Sequence, residues 1–219
     1  MTFNTLIEQG VNYFRSGQHK EAVETLLEAV KANPNRADAY FHLGDVYQEV
    51  GDYEKAMKYY LRAIHLKACT LEPNNSLIDG TDGHRIPLSQ IQTPADNAVI
   101  NSERAEGYFH LGVAFGKIGD FAKALFALQQ AVLINPNFAQ AHFAMGIVYN
   151  ELGDTAKTIE SYQKAISIDE GHAETHYNLG ITYLNCNELD KAMEHYRTLE
   201  TINPSLAQRL LSFINNESA

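Results

Sequence analysis

Apolar residues recur along this chain at helical spacing, in pairs of stripes separated by a turn. Leu43, Gly44 and Tyr47 stand at i, i+1 and i+4, on one face of a first helix, and a Gly-Asp pair follows at Gly51. Beyond it, Ala56, Met57, Tyr60, Ala63 and Ile64 form the apolar stripe of a second helix. The same two-helix pattern returns with a period of 34 residues. Gly10, Gly44, Gly112, Gly146 and Gly180 share one column, and three residues after them stand Tyr13, Tyr47, Phe115, Tyr149 and Tyr183. Gly17, Gly51, Gly119, Gly153 and Asn187 occupy the next column, which predicts a turn through positive φ. Alanines recur at Ala22, Ala56, Ala124 and Ala192 and again at Ala29, Ala63, Ala131 and Ala165, small enough for helices to approach closely. Pro34, Pro136 and Pro204 close three of the repeats and stop the second helix.

These Gly, Tyr, Ala, Ala and Pro offsets resemble those of the tetratricopeptide repeat (TPR). The resemblance covers five repeats, at 3–36, 37–70, 105–138, 139–172 and 173–206. The departures are the absence of Trp, Gln9 in place of the usual Leu in repeat one, and Ala68 and Glu170 where proline would close repeats two and four. The resemblance implies an all-α, right-handed α-α superhelix, with the repeats stacked as a single solenoid domain over 1–219. Terminal repeats need a cover for their last apolar face. Leu206, Leu210 and Ile214, at i, i+4 and i+8, predict a capping helix over 205–214, followed by a frayed tail from Asn215.

One stretch, 71–104, lacks the repeat columns and carries Pro73, Gly80, Gly83, Pro87 and Pro94 among Ser, Thr, Asn and Asp. Without those columns it reads as an insertion, not a degenerate repeat, and a linker between two independent domains would leave only two repeats before it, too few to be stable alone. Leu77, Ile78, Ile86, Leu88, Ile91, Val99 and Ile100 supply enough apolar surface for it to dock on the solenoid, and a mobile excursion is the equal alternative.

Charge narrows the partner classes. The 219 residues carry a net charge of -10, with 17 Lys and Arg against 27 Asp and Glu and no basic run, which argues against nucleic acid. No apolar run approaches the roughly 20 residues of a membrane span, and the first residues lack a signal-peptide pattern, so a cytoplasmic protein with no membrane insertion is expected. Cys69 and Cys186 form no Cys-x-x-Cys pair. Phosphate-loop, nucleophile-elbow and zinc-hydrolase motifs are absent, so neither catalysis nor a metal or other cofactor is expected. His172 and His176 have an i, i+4 spacing that suits a metal, but their register assigns them structural or solvated roles.

The family resemblance also implies where a partner binds. First helices line the concave side of such a stack, and the columns two, five, nine, twelve and thirteen positions into each repeat project into it. The fifth column includes Phe41, Phe109, Phe143 and Tyr177, and the ninth Val113, Ile147 and Ile181. Asn178, one position before Leu-Gly, matches a residue with which some members hold a peptide backbone. The Lys, Asn and Arg clamp for a terminal carboxylate is missing: Ile7, Val11, His42, Glu106 and His110 stand in those columns. Asp38, Glu106 and Glu174 add an acidic rim, and 139–206 holds ten acidic residues against four basic. The expected function is a noncatalytic adaptor that binds a peptide or amphipathic helix with basic and apolar character. A self-assembling scaffold with head-to-tail groove contacts is the alternative.

Overall fold

The structure, a computed structural model, describes residues 2–69 and 94–217. The described residues form eleven α-helices and no strand. They divide into two compact units, Met1–Asn135 and Pro136–Ala219. The N-terminal unit holds α1 (Phe3–Arg15), α2 (His19–Ala32), α3 (Ala37–Glu49), α4 (Tyr53–Cys69), α5 (Pro94–Lys117) and α6 (Phe121–Ile134). The C-terminal unit holds α7 (Ala139–Glu151), α8 (Thr155–Ile168), α9 (Ala173–Asn185), α10 (Leu189–Ile202) and α11 (Pro204–Glu217). Within each unit, successive helices pack against one another.

The first glycine column exists because a side chain occupies the place of its Cβ. A Cβ on Gly10 would lie 2.7 Å from Leu26, and one on Gly112 2.7 Å from Leu128. At Gly44 and Gly146 it would clash with the ring edges of Tyr60 and Tyr162. These four side chains are all buried, and each belongs to the second helix of the same repeat. Repeat five is different. Tyr196 holds the equivalent position, but its hydroxyl donates to Glu200 at 2.7 Å, and Leu210 of α11 comes within 2.7 Å of a Gly180 Cβ instead. The last helix therefore supplies a packing group that the other repeats find internally.

Both alanine columns are fully buried, and Leu199 fills the second of them in repeat five. Thr158, the exception in the first, is equally buried because its hydroxyl donates to the Asp154 carbonyl at 2.9 Å.

The turn column adopts positive φ throughout, from 59° at Asn187 to 80° at Gly51. The residue after it donates its N–H to the carbonyl of the column aromatic, as Asp52 does to Tyr47 at 2.9 Å and Asp154 to Tyr149 at 3.0 Å. Asp52, Asp120 and Asp154 then cap the second helix through the N–H of Lys55, Lys123 and Lys157. The same lysines reach back to the Asp carboxylate at 2.7 to 2.8 Å. Their ammonium groups also lie 5.0 to 5.5 Å from the ring centres of Tyr47, Phe115 and Tyr149. The lysine column, absent from the sequence reading, thus ties turn, cap and ring together.

Two helices exceed their expected bounds. α5 begins at Pro94, eleven residues before repeat three, so the last part of the insertion is helical. Proline suits the first helical position, and Glu103, two residues before the repeat, pairs with Lys67 of α4. The choice between a docked and a mobile insertion rests on Leu77, Ile78, Ile86, Leu88 and Ile91 and on the side chains of Val99 and Ile100, and lies outside what the structure describes. α11 begins at Pro204 and runs to Glu217, through residues expected to fray. Asn203 accepts the Leu206 N–H at 3.2 Å, and no helix breaker follows Ile214.

The C-terminal unit also pairs two imidazoles, one buried and one half-buried. His176, 6% exposed, places Nε2 3.1 Å from the Glu170 carbonyl and Nδ1 3.0 Å from Nδ1 of His195. A carbonyl only accepts, so His176 donates from Nε2 and its Nδ1 accepts the His195 proton. Burial, then the neighbouring His176, pushes His195 down to about 4, and burial lowers His176 as well.

Two outcomes follow from this packing. Leu210→Ala should cost about 3 kcal/mol in urea unfolding, because it empties a fully buried site over Gly180, whereas Tyr196→Ala should cost under about 1 kcal/mol. The unfolded chain binds a proton at His195 near pH 6.5 and the folded chain only near 4, so this contribution is complete above about pH 7 and is lost as pH falls. With allowance for partial exposure, stability should drop by about 1 kcal/mol between pH 7.5 and pH 5, and the drop should shrink in His195→Asn.

Candidate functional site

In the N-terminal unit, the first-helix columns assemble an aromatic cluster that spans α3, α4 and α5. Phe41 packs edge-on against Tyr60 at 5.8 Å between ring centres and against His110 at 6.1 Å. His110 stacks on Tyr60 at 5.3 Å and meets Phe109 edge-on at 5.2 Å. Gly107 makes this closeness feasible, since a Cβ there would lie 3.2 Å from the Phe41 ring and 2.6 Å from Ile64. Phe41 is thereby half-buried against the core formed by Ala56, Tyr60, Ile64 and Leu111. Phe109 and Val113, four residues apart on α5, are also half-buried.

The cluster has a polar edge. Asp45 accepts the Tyr60 hydroxyl at 3.0 Å and lies 3.5 Å from His42 Nδ1. Burial raises the Tyr60 hydroxyl far above its ordinary range, reinforced by the Asp45 charge. Burial also lowers His110, against the opposing pull of Asp45 and Glu106, so a neutral imidazole stacks in the cluster at neutral pH.

The C-terminal unit carries the remaining expected residues. Phe143 of α7 lies 5.8 Å from the Tyr162 ring and 4.9 Å from the His172 ring. Tyr177 and Ile181, on α9, pack with Phe143 on the same core as Leu179 and Tyr183. Arg209 of the last helix lies 5.0 Å from the centre of the Tyr177 ring, a cationic cover absent from the sequence reading. Asn178 is half-buried, while Ile147 is 40% exposed. The Phe41, Phe143 and Tyr177 rings thus serve packing as well as surface, and Ile147 presents the most open apolar side chain of the expected set.

His172 and His176 do not converge. His172 Nδ1 lies 3.3 Å from the Thr175 N–H and 2.7 Å from its hydroxyl at the start of α9, and His176 turns to Glu170 and His195. Three residues of the fourth column make the same contact. Tyr40, His142 and His176 each donate to the carbonyl six residues earlier, at 3.0 to 3.1 Å. Among the described residues, no group of three or more His, Cys, Asp and Glu could hold a metal ion.

A cleft of about 760 Å³ opens in the N-terminal unit, away from the expected face, lined by Tyr40, Met57, Leu61, Arg62, His65 and Phe115 among others. Its α4 residues belong to a second helix, so no first-helix column pointed to it. Among the described residues, no helix is long and apolar enough to cross a membrane.

Known proteins share this architecture. A TPR repeat model matches residues 10–51 and 148–186. Tetratricopeptide repeat models match 37–68, 105–138 and 173–206. Tetratricopeptide repeat protein 37 of Xenopus laevis is 26% identical over 133 residues, which cover 58% of this chain and 8% of that protein. Superkiller complex protein 3 of Mus musculus is 32% identical over 60 residues, 27% of this chain and 4% of that one. The chain thus matches less than a tenth of the length of these relatives. Among solved structures, MamA 41-end from Desulfovibrio magneticus RS-1 superposes with a TM-score of 0.67 at 20% identity, covering 93% of this chain and 96% of that one. YrrB, described as a TPR protein with an unusual peptide-binding site, has a TM-score of 0.61 at 21% identity, with 94% and 90% covered. TTC0263, a thermophilic TPR protein of Thermus thermophilus, has a TM-score of 0.59 at 21% identity, with 96% and 98% covered. With glycine, ring and turn columns in place in all five repeats and family models matched over most of its length, the chain belongs to the tetratricopeptide repeat family.

Proposed function

We propose that the protein is a noncatalytic adaptor that holds a segment of a partner protein against the apolar faces of its first helices. The observation that carries this reading is Ile147, an apolar side chain left 40% exposed beside Phe143 on α7. Ile181 adds a half-buried apolar position in the same unit, and the other unit separately carries Phe109 and Val113, half-buried on its own first helix α5. An aromatic ring already fixed by its neighbours loses little freedom when a ligand docks on it, which favours Phe41, Phe109, Phe143 and Tyr177 as anchors. Asn178 is the candidate for a hydrogen bond to the ligand backbone.

Charge supports a basic, apolar ligand. Glu106 and Glu174 are exposed, and each stands three positions before Phe109 or Tyr177 on the same helix. Acidic groups so placed steer a basic segment and set its register more than they set its affinity.

Selection of displayed peptides against the full chain, followed by fluorescence anisotropy, tests the reading. Peptides with aromatic or aliphatic anchors and Lys or Arg should be enriched. Val113→Glu/Ile147→Glu/Ile181→Glu should weaken them at least about tenfold with the helical circular-dichroism signal intact. Undiminished affinity in that variant would move the binding surface elsewhere.

A further inference from the structure

The outer face of α6 departs from every other second helix of the chain. Phe126 is 64% exposed and Leu133 72% exposed, the two most open large apolar side chains among the described residues. Their columns are polar elsewhere: Glu24, Lys58, Glu160 and Glu194 correspond to Phe126, and Lys31, His65, Ser167 and Thr201 to Leu133. By contrast, Val50, Ile118 and Leu152 are exposed apolar residues that share one column, so their exposure belongs to the repeat turn. Phe126 and Leu133 have no such explanation.

The exposed positions also have an order. Ala122, Phe126, Gln129 and Leu133 are all exposed and follow one another at spacings of four, three and four, the seam by which two helices interlock. From Ala124 to Ile134 no residue is charged, whereas the equivalent stretches of α2, α4, α8 and α10 each carry two or three charged residues. On a chain with a net charge of -10, this is a stretch where another copy meets no like charge.

We propose that α6 is a self-association surface, on which a second copy of this chain docks its own α6 antiparallel about a two-fold axis. The seam is self-complementary in that arrangement. Residues whose numbers sum to 255 face each other, so Leu133 meets Ala122 of the second copy and Phe126 meets Gln129 of the second copy. Large groups then oppose smaller or extended ones at each layer, and the amide of Gln129 fixes the register as a polar seam residue does. The contact is isologous and closes on itself, unlike a head-to-tail groove contact. One pair of 14-residue helices buries less than a standard interface, so the dimer is weak and concentration-dependent.

Sedimentation equilibrium of the full chain tests this from about 5 to about 500 µM. The wild type should rise toward twice the monomer mass, and Phe126→Glu/Leu133→Lys, which restores residue types found in those columns, should stay monomeric with unchanged melting. A monomeric wild type, or a variant that still associates, overturns the proposal. Register is read in a background with Cys69→Ser and Cys186→Ser. Under mild oxidation, Ala122→Cys and Leu133→Cys proteins should form a disulfide-linked dimer when mixed and none when alone. A disulfide in either protein alone overturns the antiparallel arrangement. Anisotropy with the displayed peptides of the preceding test should be unaffected by the α6 changes, so failure of one reading leaves the other standing.

Discussion

The contact between a Cα that carries no Cβ and an apolar side chain lying directly over it governs each repeat. Leu26, Tyr60, Leu128 and Tyr162 sit over Gly10, Gly44, Gly112 and Gly146, and the alanine columns let the two backbones close around them. The neighbouring features are consequences of this approach. With the helices this close, the chain has to reverse within a few residues, so the turn passes through positive φ and its carbonyls are satisfied from the residues just beyond. The Asp cap and the lysine across the column ring secure the next helix start.

Repeat five obeys the same constraint by other means. Tyr196 turns to Glu200, His195 turns inward to His176, and Leu210 takes the place over Gly180. The last helix is therefore part of the final repeat as well as its cover. His195 lies parallel to the Tyr183 ring at 5.7 Å, so the inward turn couples a titratable group to the column aromatic.

Much of this was legible in the sequence. The 34-residue spacing located all five helix pairs, the turn column predicted positive φ including Asn187, and the alanine columns predicted buried close contacts. The helical start at Pro94 was hidden because a run rich in Asp, Asn and Ser lacks the repeat columns, while its pairing through Glu103 to Lys67 is a contact between helices. A column gives Phe41, Phe143 and Tyr177 only their direction from one helix. Their burial depends on Gly107, His172 and Arg209, which approach from elsewhere in the fold. The contact shared by Tyr40, His142 and His176 was similarly invisible, since tyrosine and histidine look unrelated until both are seen to place a polar tip on a carbonyl six residues back.

The clasp at the turns of repeats two, three and four has a kinetic meaning. Its glycine, aspartate, lysine and ring all lie within about ten residues of one another, from Tyr47 to Lys55 or Tyr149 to Lys157. Closing so short a loop costs little chain entropy, so a helix hairpin can form before any neighbour is in place to stack on it. Folding can then start in several repeats at once and spread by docking preformed hairpins. The segment between Cys69 and Pro94 lengthens only one of those docking steps and leaves the local ones untouched.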